Sequence, residues 1–256
     1  MIDIHFCHAN GFPAKVYTPV LSGILEAKIS FIPVIGSSKK ALNLGVDSLT
    51  DELISEIEDK CSSPVVGIGH SMGGTIVYLA AVKRPDLFKD IILLEPVLWG
   101  ATRRRIVRAL RYIGLGDLGN PAVRTLKRRN HFEDKSEAID YFSNRRIFDK
   151  MDSRCFEEYI NHGLVECGNK FRLTIPPELE SALFNCQLLN FPKNAYSIKG
   201  KIVYASNSNT LLKSDVRWLK KKMENMRFYE IDGGHMFPVE TPDMTANLIN
   251  ELIEDI

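Results

Sequence analysis

Residues 65–74 read Val-Val-Gly-Ile-Gly-His-Ser-Met-Gly-Gly, and a helix-like segment over 75–82 follows at once. An apolar run, a turn of small residues and a helix are the parts of a nucleophile elbow. Such a turn forces strained backbone angles on Ser71, and glycines at positions 69 and 73 are needed where strand and helix pass close together. The pattern predicts that Ser71 presents its hydroxyl at the carboxyl end of a strand, beside the positive end of a helix.

The Gly-x-Ser-x-Gly pattern is not specific by itself. At ordinary frequencies of glycine and serine it arises by chance about 0.1 times in a chain of this length. The same residues also suit an ordinary turn between a strand and a helix. Other parts of the chain therefore have to decide between a catalytic serine and a structural turn.

Composition and charge are those of an ordinary globular protein. The chain has 256 residues, 45% hydrophobic and 25% charged, with a formal net charge of +1. This length suffices for one large domain, or for one domain that carries an insertion. The near-neutral charge provides no global field for nucleic acid, so we expect no nucleic-acid partner.

Cysteine spacing and hydropathy bear on the cellular compartment. The five cysteines are widely spaced and form neither a CxxC pair nor a metal-ligand cluster. We expect reduced thiols in an intracellular compartment, no metal and no organic cofactor. No basic and apolar leader precedes the first strand-like residues, and no apolar run reaches the roughly 18 residues of a membrane span. These features predict a soluble, cytoplasmic protein.

Strand-like and helix-like segments alternate at both ends of the chain. Besides the run before Ser71, we predict strands over 2–7, 28–35, 90–94, 201–205 and 227–231, and helices over 14–26, 47–59, 75–82, 214–225 and 241–253. That alternation predicts an α/β protein with a mostly parallel sheet and helices on both of its faces.

The middle of the chain breaks this alternation. Residues 97–196 are rich in charged and aromatic side chains, with helix-like pieces at 136–141 and 153–160 and no clear strand. We therefore expect a core made of 1–96 and 197–256, and a helical cap at 97–196, inserted after the strand that ends near Leu94.

Two further pieces follow predicted strands, at the edge where open α/β sheets place their ligands. His235, in Gly-Gly-His-Met-Phe-Pro, comes just after the last strand and is the expected general base, although a loop histidine is often simply solvated. The loop Asn10-Gly11-Phe12-Pro13 follows the first strand. Backbone N–H groups of Phe12 and Met72 would form an oxyanion hole there, unless the loop is an ordinary turn.

These motifs resemble those of the α/β-hydrolase superfamily. They occur in the family's order and at its spacings: NGFP at 10–13, GHSMGG at 69–74 and GGHMFPVETP at 233–242. The resemblance covers both ends of the chain and implies a serine hydrolase with a cap domain. It also implies about six strands, because the chain opens on the strand before the oxyanion loop. Asn10 stands where most relatives have histidine, and an N–H from Phe12 does not depend on it.

The acid that orients His235 is less clearly marked. In this family it usually follows the next-to-last strand, but residues 206–210 hold no carboxylate, and Asp215 is expected to point away. Glu95 follows a strand that should lie beside the elbow strand. It resembles the glutamate that some haloalkane dehalogenases of the same superfamily carry after their sixth strand. Glu95 is our candidate acid, and a purely structural role or an acid from elsewhere stays open.

The predicted cap is basic. Residues 101–130 contain one acid, Asp117, and nine cations: Arg103, Arg104, Arg105, Arg108, Arg111, Arg124, Lys127, Arg128 and Arg129. A solvated helix face would explain them, and attraction of an anionic substrate or surface is the alternative. Aromatic side chains in the cap would line an acyl pocket or form the cap's own core. Pro-Pro-Glu-Leu-Glu at 176–180 resembles a small subset of the superfamily without a settled substrate.

We therefore predict hydrolysis of an ester or thioester, neutral or anionic, through an acyl-enzyme on Ser71. Candidate substrate contacts are His8, Asn10, Trp99 and Met236. Perhydrolase chemistry, C–C bond hydrolysis and a non-catalytic ligand-binding role remain alternatives. The natural substrate and the oligomeric state stay open.

Overall fold

The computed structural model describes residues 1–37 and 45–256, so residues 38–44 of the predicted core lie outside the described part. The described strands are β1 (Ile2–Cys7), β2 (Ala27–Phe31), β3 (Val65–His70), β4 (Phe88–Leu94), β5 (His131–Phe132), β6 (Leu164–Cys167), β7 (Lys170–Leu173), β8 (Gly200–Ala205) and β9 (Met226–Ile231).

Helices connect and flank these strands. They are α1 (Thr18–Leu21), α2 (Val46–Lys60), α3 (Met72–Lys83), α4 (Ala101–Tyr112), α5 (Pro121–Thr125), α6 (Lys135–Ser143), α7 (Ser153–His162), α8 (Pro177–Asn185), α9 (Lys213–Lys222), α10 (Phe237–Glu240) and α11 (Pro242–Glu254). Short 3₁₀ turns lie at Ala14–Tyr17, Pro85–Leu87 and Ala195–Ser197.

The main sheet is parallel throughout. In the described residues it holds six strands in the order β2-β1-β3-β4-β8-β9. The central strands are apolar runs, as expected where helices cover both faces. The predicted α/β fold with about six mostly parallel strands is confirmed. The strand order sets β4 between β3 and β8, so the carboxyl ends of these three strands lie side by side.

Side chains of the central strands alternate between two apolar clusters. In β4, Ile91 and Leu93 belong to the cluster that includes α2, α3 and α9. Ile92 and Leu94 belong to the other cluster, which includes α1, α7 and α11. Because successive strand residues point to opposite faces, each cluster fills one side of the sheet. The predicted helices on both faces are confirmed.

The turn between β3 and α3 is very tight. Ser71 has φ 55° and ψ −117°. A Cβ on Gly73 would lie 2.2 Å from the carbonyl oxygen of Cys7, and a Cβ on Gly69 would lie 2.5 Å from that of Gly73. Glycine is required at both positions because backbone occupies the space of a side chain. The small residues of the motif therefore let α3 start directly against β1.

Several predicted boundaries differ from the observed ones. The second strand ends at Phe31, before Pro33, which cannot donate to a strand ladder. The helix predicted over 14–26 is a 3₁₀ turn followed by the single turn of α1. Gly23 lies where a Cβ would be 2.8 Å from Cβ of Ala246, so the chain packs against α11 there instead of continuing the helix.

Residues 97–196 lie between β4 and β8 and are not purely helical. They hold α4 to α8 and, among the described residues, an antiparallel sheet of three strands in the order β5-β7-β6. The expectation of an all-helical insertion without a strand is wrong. Gly168 has φ 63° and, with Asn169, joins β6 to β7. A Gly-Asn pair between two short alternating segments is a hairpin signal that the sequence did contain.

Candidate active site

Ser71 and His235 are hydrogen-bonded at the carboxyl edge of the sheet. His235 Nε2 lies 2.9 Å from Ser71 Oγ, although the residues are 164 positions apart. Ser71 follows β3, and His235 lies in the turn between β9 and α10. Ser71 is 8% exposed and lines the cavity described below.

Glu95 approaches His235 from the neighbouring strand end. Its side chain is fully buried, and Oε2 lies 3.2 Å from His235 Nδ1. A carboxylate only accepts, so Nδ1 carries the proton and Nε2 accepts from the Ser71 hydroxyl. The three side chains therefore have the geometry of a serine, histidine and acid triad.

The loop without a carboxylate supports Glu95 instead of replacing it. Glu95 Oε1 accepts from the N–H of Ala205 at 2.6 Å, and Oε2 accepts from Ser208 Oγ at 2.5 Å. Asp215 is buried at the start of α9, where it accepts from the N–H of Gly100 at 2.8 Å and pairs with Arg103. Asp215 serves the junction of α4 and α9, so the expectation that it points away from His235 fits the structure.

A second histidine, which the sequence did not single out, holds the backbone at His235. His70 Nε2 lies 2.9 Å from the carbonyl oxygen of His235, and its Nδ1 lies 2.6 Å from the hydroxyl of Tyr17. A carbonyl only accepts, so Nε2 donates and Nδ1 accepts from Tyr17. Burial lowers the pKa of His70 to about 3, with nearby His235 adding to the shift. His70 is therefore a neutral, fixed support for the loop.

The two predicted oxyanion donors differ in their surroundings. The N–H of Met72 lies at the first position of α3, where the helix has no earlier carbonyl to accept it. The N–H of Phe12 donates to the carbonyl oxygen of Ala9 at 3.2 Å. A substrate oxygen would therefore meet one open donor at Met72 and would have to share or replace the bond made by Phe12.

A cavity of about 490 Å³ opens over Ser71. Its wall combines strand-end residues of the core with residues of the insertion, including Val97, Trp99, Val107, Leu110, Leu118, Ile147, Leu183 and Phe184. A mostly apolar wall with a few polar groups is typical of a small-molecule site.

Three of the four predicted substrate contacts line this cavity: Asn10, Trp99 and Met236. Asn10 Oδ1 and Trp99 Nε1 are buried polar atoms without a hydrogen-bond partner among the described residues. His8 is different. It is fully buried, its Nε2 accepts from the N–H of Ile35 at 2.8 Å and its Nδ1 bonds the carbonyl oxygen of Ala9. The prediction that His8 contacts substrate is wrong, because both ring nitrogens are used inside the fold.

Residues of the insertion contact the oxyanion loop at Asn10 and Gly11. Asn10 Nδ2 donates to the carbonyl oxygen of Glu180 at 2.9 Å. The carboxylate of Glu180 pairs with Arg128, which also bonds the hydroxyl of Tyr159. Gly11 has φ 82°, and a Cβ there would lie 3.0 Å from Glu180 Oε1, so any other residue would be strained and would press on that pair. Glu180 is the last residue of the Pro-Pro-Glu-Leu-Glu motif, whose structural use is thus to hold this loop.

Several of the nine cations of 101–130 serve the structure. Arg104 is buried and donates to the carbonyl oxygens of Trp99 and Leu189. Ion pairs engage Arg103, Arg128 and Arg129 with Asp215, Glu180 and Glu137. The interpretation of the whole cluster as one solvated face is therefore too simple.

Comparison with known proteins finds partial matches to one family model and to several curated proteins. A family model described as serine aminopeptidase, S33, matches residues 43–155, less than half of the chain. The type I acyl-CoA thioesterase mpaH of Penicillium brevicompactum is 27% identical over 174 residues, which are 60% of this chain and 38% of that protein. The peroxisomal membrane protein LPX1 of Saccharomyces cerevisiae is 28% identical over 215 residues, 74% of this chain and 53% of that protein. The chain thus spans about half or less of these relatives.

Solved structures share the fold of this chain. The peroxisomal α/β-hydrolase Lpx1 of Saccharomyces cerevisiae superposes with a TM-score of 0.75 and 20% identity, over 99% of this chain and 76% of that chain. E-2-(acetamidomethylene)succinate hydrolase superposes with a TM-score of 0.80 and 16% identity, over 99% and 91%. The chain is therefore an α/β-hydrolase-fold protein.

The predicted cytoplasmic location is contradicted by the yeast relative. The yeast protein is described as peroxisomal in both its sequence and its structural match. Thiol spacing could not separate these compartments, because it reports only on redox conditions. Across residues 1–37 and 45–256, no helix is both long and apolar enough to cross a bilayer. The same residues hold no group of three or more histidine, cysteine or acidic side chains that could bind a metal.

Proposed function

We propose that this protein is a serine hydrolase that cleaves a carboxylic ester or thioester. The observation that carries the proposal is the hydrogen-bonded series from Ser71 through His235 to Glu95, with the hydroxyl of Ser71 at a mostly apolar cavity. The two curated relatives span the chain only in part, and one of them is named an acyl-CoA thioesterase. That name makes acyl-thioesters the first substrates to try.

In the proposed mechanism, Ser71 Oγ attacks the acyl carbonyl while His235 Nε2 takes its proton. The N–H of Met72, joined by that of Phe12, stabilises the tetrahedral oxyanion. His235 then protonates the departing alcohol or thiol, and water repeats the sequence to release the acid. Glu95 keeps the proton of His235 on Nδ1 and stabilises the cation that forms.

We further propose that residues 97–196 act as a cap that selects the acyl group. Residues from this segment supply much of the cavity wall over Ser71. Asn10 and Trp99 each bring a buried, unpartnered polar atom to the cavity wall, an acceptor and a donor. We expect polar groups of the substrate to pair with them, since unpaired buried polar groups are costly.

The test is covalent labelling with a fluorophosphonate, with the adduct located by peptide mass spectrometry. We expect an adduct on Ser71 that Ser71→Ala abolishes and His235→Ala strongly reduces. Ser206→Ala, which changes a half-buried serine beside the same edge of the sheet, is the control and should label normally. An unlabelled but folded wild-type protein, with no turnover of short-chain esters or thioesters, would refute the proposal.

A further inference from the structure

The insertion presents large apolar side chains to solvent. Seven of them lie on one segment: Ile106, Tyr112, Ile113, Leu115, Leu118, Val123 and Leu126. Tyr112 is 92% exposed and Leu118 is 71% exposed. We call this the outer face of 101–129. Grouped exposed apolar side chains of this kind usually mark an interaction site, whereas scattered ones do not.

The same outer face carries uncompensated positive charge. Five of its cations have no ion-pair partner among the residues that the structure describes: Arg105, Arg108, Arg111, Arg124 and Lys127. Arg108 and Arg111 bond only to neutral groups, the side chains of Asn190 and Gln187 and the carbonyl of Asn185. The segment contains a single acid, Asp117. The positive field of this face is therefore available to a partner.

The outer face also borders the mouth of the cavity over Ser71. On α4, Val107 and Leu110 line the cavity, Arg105 on the opposite side of the helix is exposed, and Ile106 is exposed next to Leu110. Leu118 lines the cavity and is largely exposed, so the cavity reaches the surface at this segment. Whatever binds the outer face thus comes next to the opening that leads to Ser71.

We propose that the outer face of 101–129 docks the protein on the surface of an anionic lipid bilayer. Intermixed cationic, aromatic and aliphatic side chains suit the boundary between charged headgroups and acyl chains. A nucleic acid would use the cations but leave the apolar side chains exposed. A second copy would bring like charges together. Resting on the proposed function, the cavity then takes its acyl group from that interface.

Vesicle co-sedimentation at low salt tests this docking. The probes are phosphatidylcholine vesicles and phosphatidylcholine vesicles that contain phosphatidylglycerol. We expect binding to the anionic vesicles only, and a loss of that binding as salt is raised. The triple variant Arg105→Glu/Arg124→Glu/Lys127→Glu should bind anionic vesicles roughly 100-fold more weakly, since each surface cation makes its own contribution to the affinity. The double variant Tyr112→Ser/Ile113→Ser should also bind anionic vesicles more weakly, although its net charge is unchanged.

The matched control has the same change of charge at the opposite edge of the sheet. Lys28→Glu/Lys89→Glu/Lys199→Glu changes exposed lysines at or before the amino ends of β2, β4 and β8. It should bind vesicles far better than the triple variant of the outer face. Three outcomes would each overturn the docking proposal. They are an equal loss of vesicle binding in both triple variants, equal binding of the wild type to both kinds of vesicle, and no binding of the wild type to either.

Turnover of a water-soluble short-chain ester without vesicles keeps the two proposals apart. The variants of the outer face should retain it, because none of the changed side chains lines the cavity. An inactive protein that still binds anionic vesicles would refute the hydrolase and leave the docking surface standing. An active protein that does not bind anionic vesicles would refute the docking surface and leave the hydrolase standing.

Discussion

Ser71 and Glu95 share an unusual backbone conformation. Their φ values are 55° and 48°, in the left-handed region that side chains rarely adopt. Neighbouring strands hold both in place: the N–H of Ser71 donates to Leu94 at 2.9 Å and that of Glu95 to Val203 at 2.8 Å. Backbone strain of this kind persists only where the surrounding structure imposes it. Here the strained conformation directs both side chains toward the loop that carries His235.

The first prediction concerns Glu95→Gln. The N–H of Ala205 needs an acceptor, so the amide oxygen would stay there and the NH₂ group would face His235 Nδ1. That forces the proton of His235 to Nε2, the wrong position for accepting from Ser71. We expect kcat for ester hydrolysis to fall by about 10⁴ while the fold is retained.

Ser208→Ala is the control for this variant, because it removes one hydrogen bond to the carboxylate and keeps the acid. It should cost about tenfold in kcat. Steady-state kinetics with circular dichroism measures both effects. A Glu95→Gln enzyme within about threefold of wild type would contradict our assignment of the acid.

Several elements of the insertion converge on the oxyanion loop. Arg128 follows α5, Glu180 lies on α8 and Tyr159 lies on α7. The Arg128 and Glu180 pair is largely buried, with side chains 26% and 8% exposed. Burial raises the pKa of Glu180, and pairing with Arg128 opposes that shift. The position of the oxyanion loop is therefore coupled to the packing of the insertion.

The second prediction follows from that burial. Arg128→Met leaves a buried carboxylate without its partner and should lower the free energy of unfolding by about 3 kcal/mol. Arg128→Met/Glu180→Gln removes both charges and should recover most of that loss. Urea denaturation measures both values.

Arg129→Met is the matched control for the second prediction. It breaks an exposed pair with Glu137, whose side chains are 40% and 35% exposed. Such pairs contribute about 1 kcal/mol or less. Equal losses for Arg128→Met and Arg129→Met would show that the buried pair has no special role in holding the loop.

At the scale of the whole molecule, three buried histidines favour the neutral form. Burial lowers the pKa of His5 to about 4, with Lys60 adding to the shift. Burial lowers the pKa of His8 to about 4 and that of His70 to about 3. Each has an ordinary value of 6.5, which it regains in the unfolded chain. The unfolded chain therefore binds more protons than the folded protein between pH 6.5 and pH 4.

The third prediction is an acid-sensitive fold. Stability rises with pH wherever the unfolded state binds more protons, so it is complete above about pH 7 and falls below 6.5. By pH 5 each histidine should cost roughly 2 kcal/mol of unfolding free energy. Urea midpoints between pH 7 and pH 5 measure this loss.

His5→Gln should reduce the slope of stability against pH by about a third, because it removes one of the three groups. His131→Gln changes an exposed histidine and is the control, with an unchanged slope expected. A midpoint that stays flat from pH 7 to pH 5 would contradict the burial of neutral histidines as the source of acid sensitivity.

The sequence alone determined much of the fold and part of the candidate site. Apolar runs that alternate with amphipathic segments mark β1, β3, β4, β8 and β9, since side-chain periodicity is a local property. Glycines at 69 and 73 mark the tight turn, since the residues that a turn requires are also a local property. Elsewhere the sequence prediction differs from the structure: it omits the hairpin of β6 and β7 despite its Gly-Asn turn, and it extends the helix over 14–26 beyond the short turns that form.

Only the tertiary structure decided how distant residues meet. Glu95 and His235 are 140 positions apart and become partners because the sheet sets β4 between β3 and β8. The same packing brings Ser208 to Glu95, buries His8 and joins His70 to the carbonyl of His235. Residue type and local spacing reveal which groups can do chemistry at a strand end. Which of them touch depends on strand order and on the fit of side chains across the core, and neither is encoded in any one stretch of sequence.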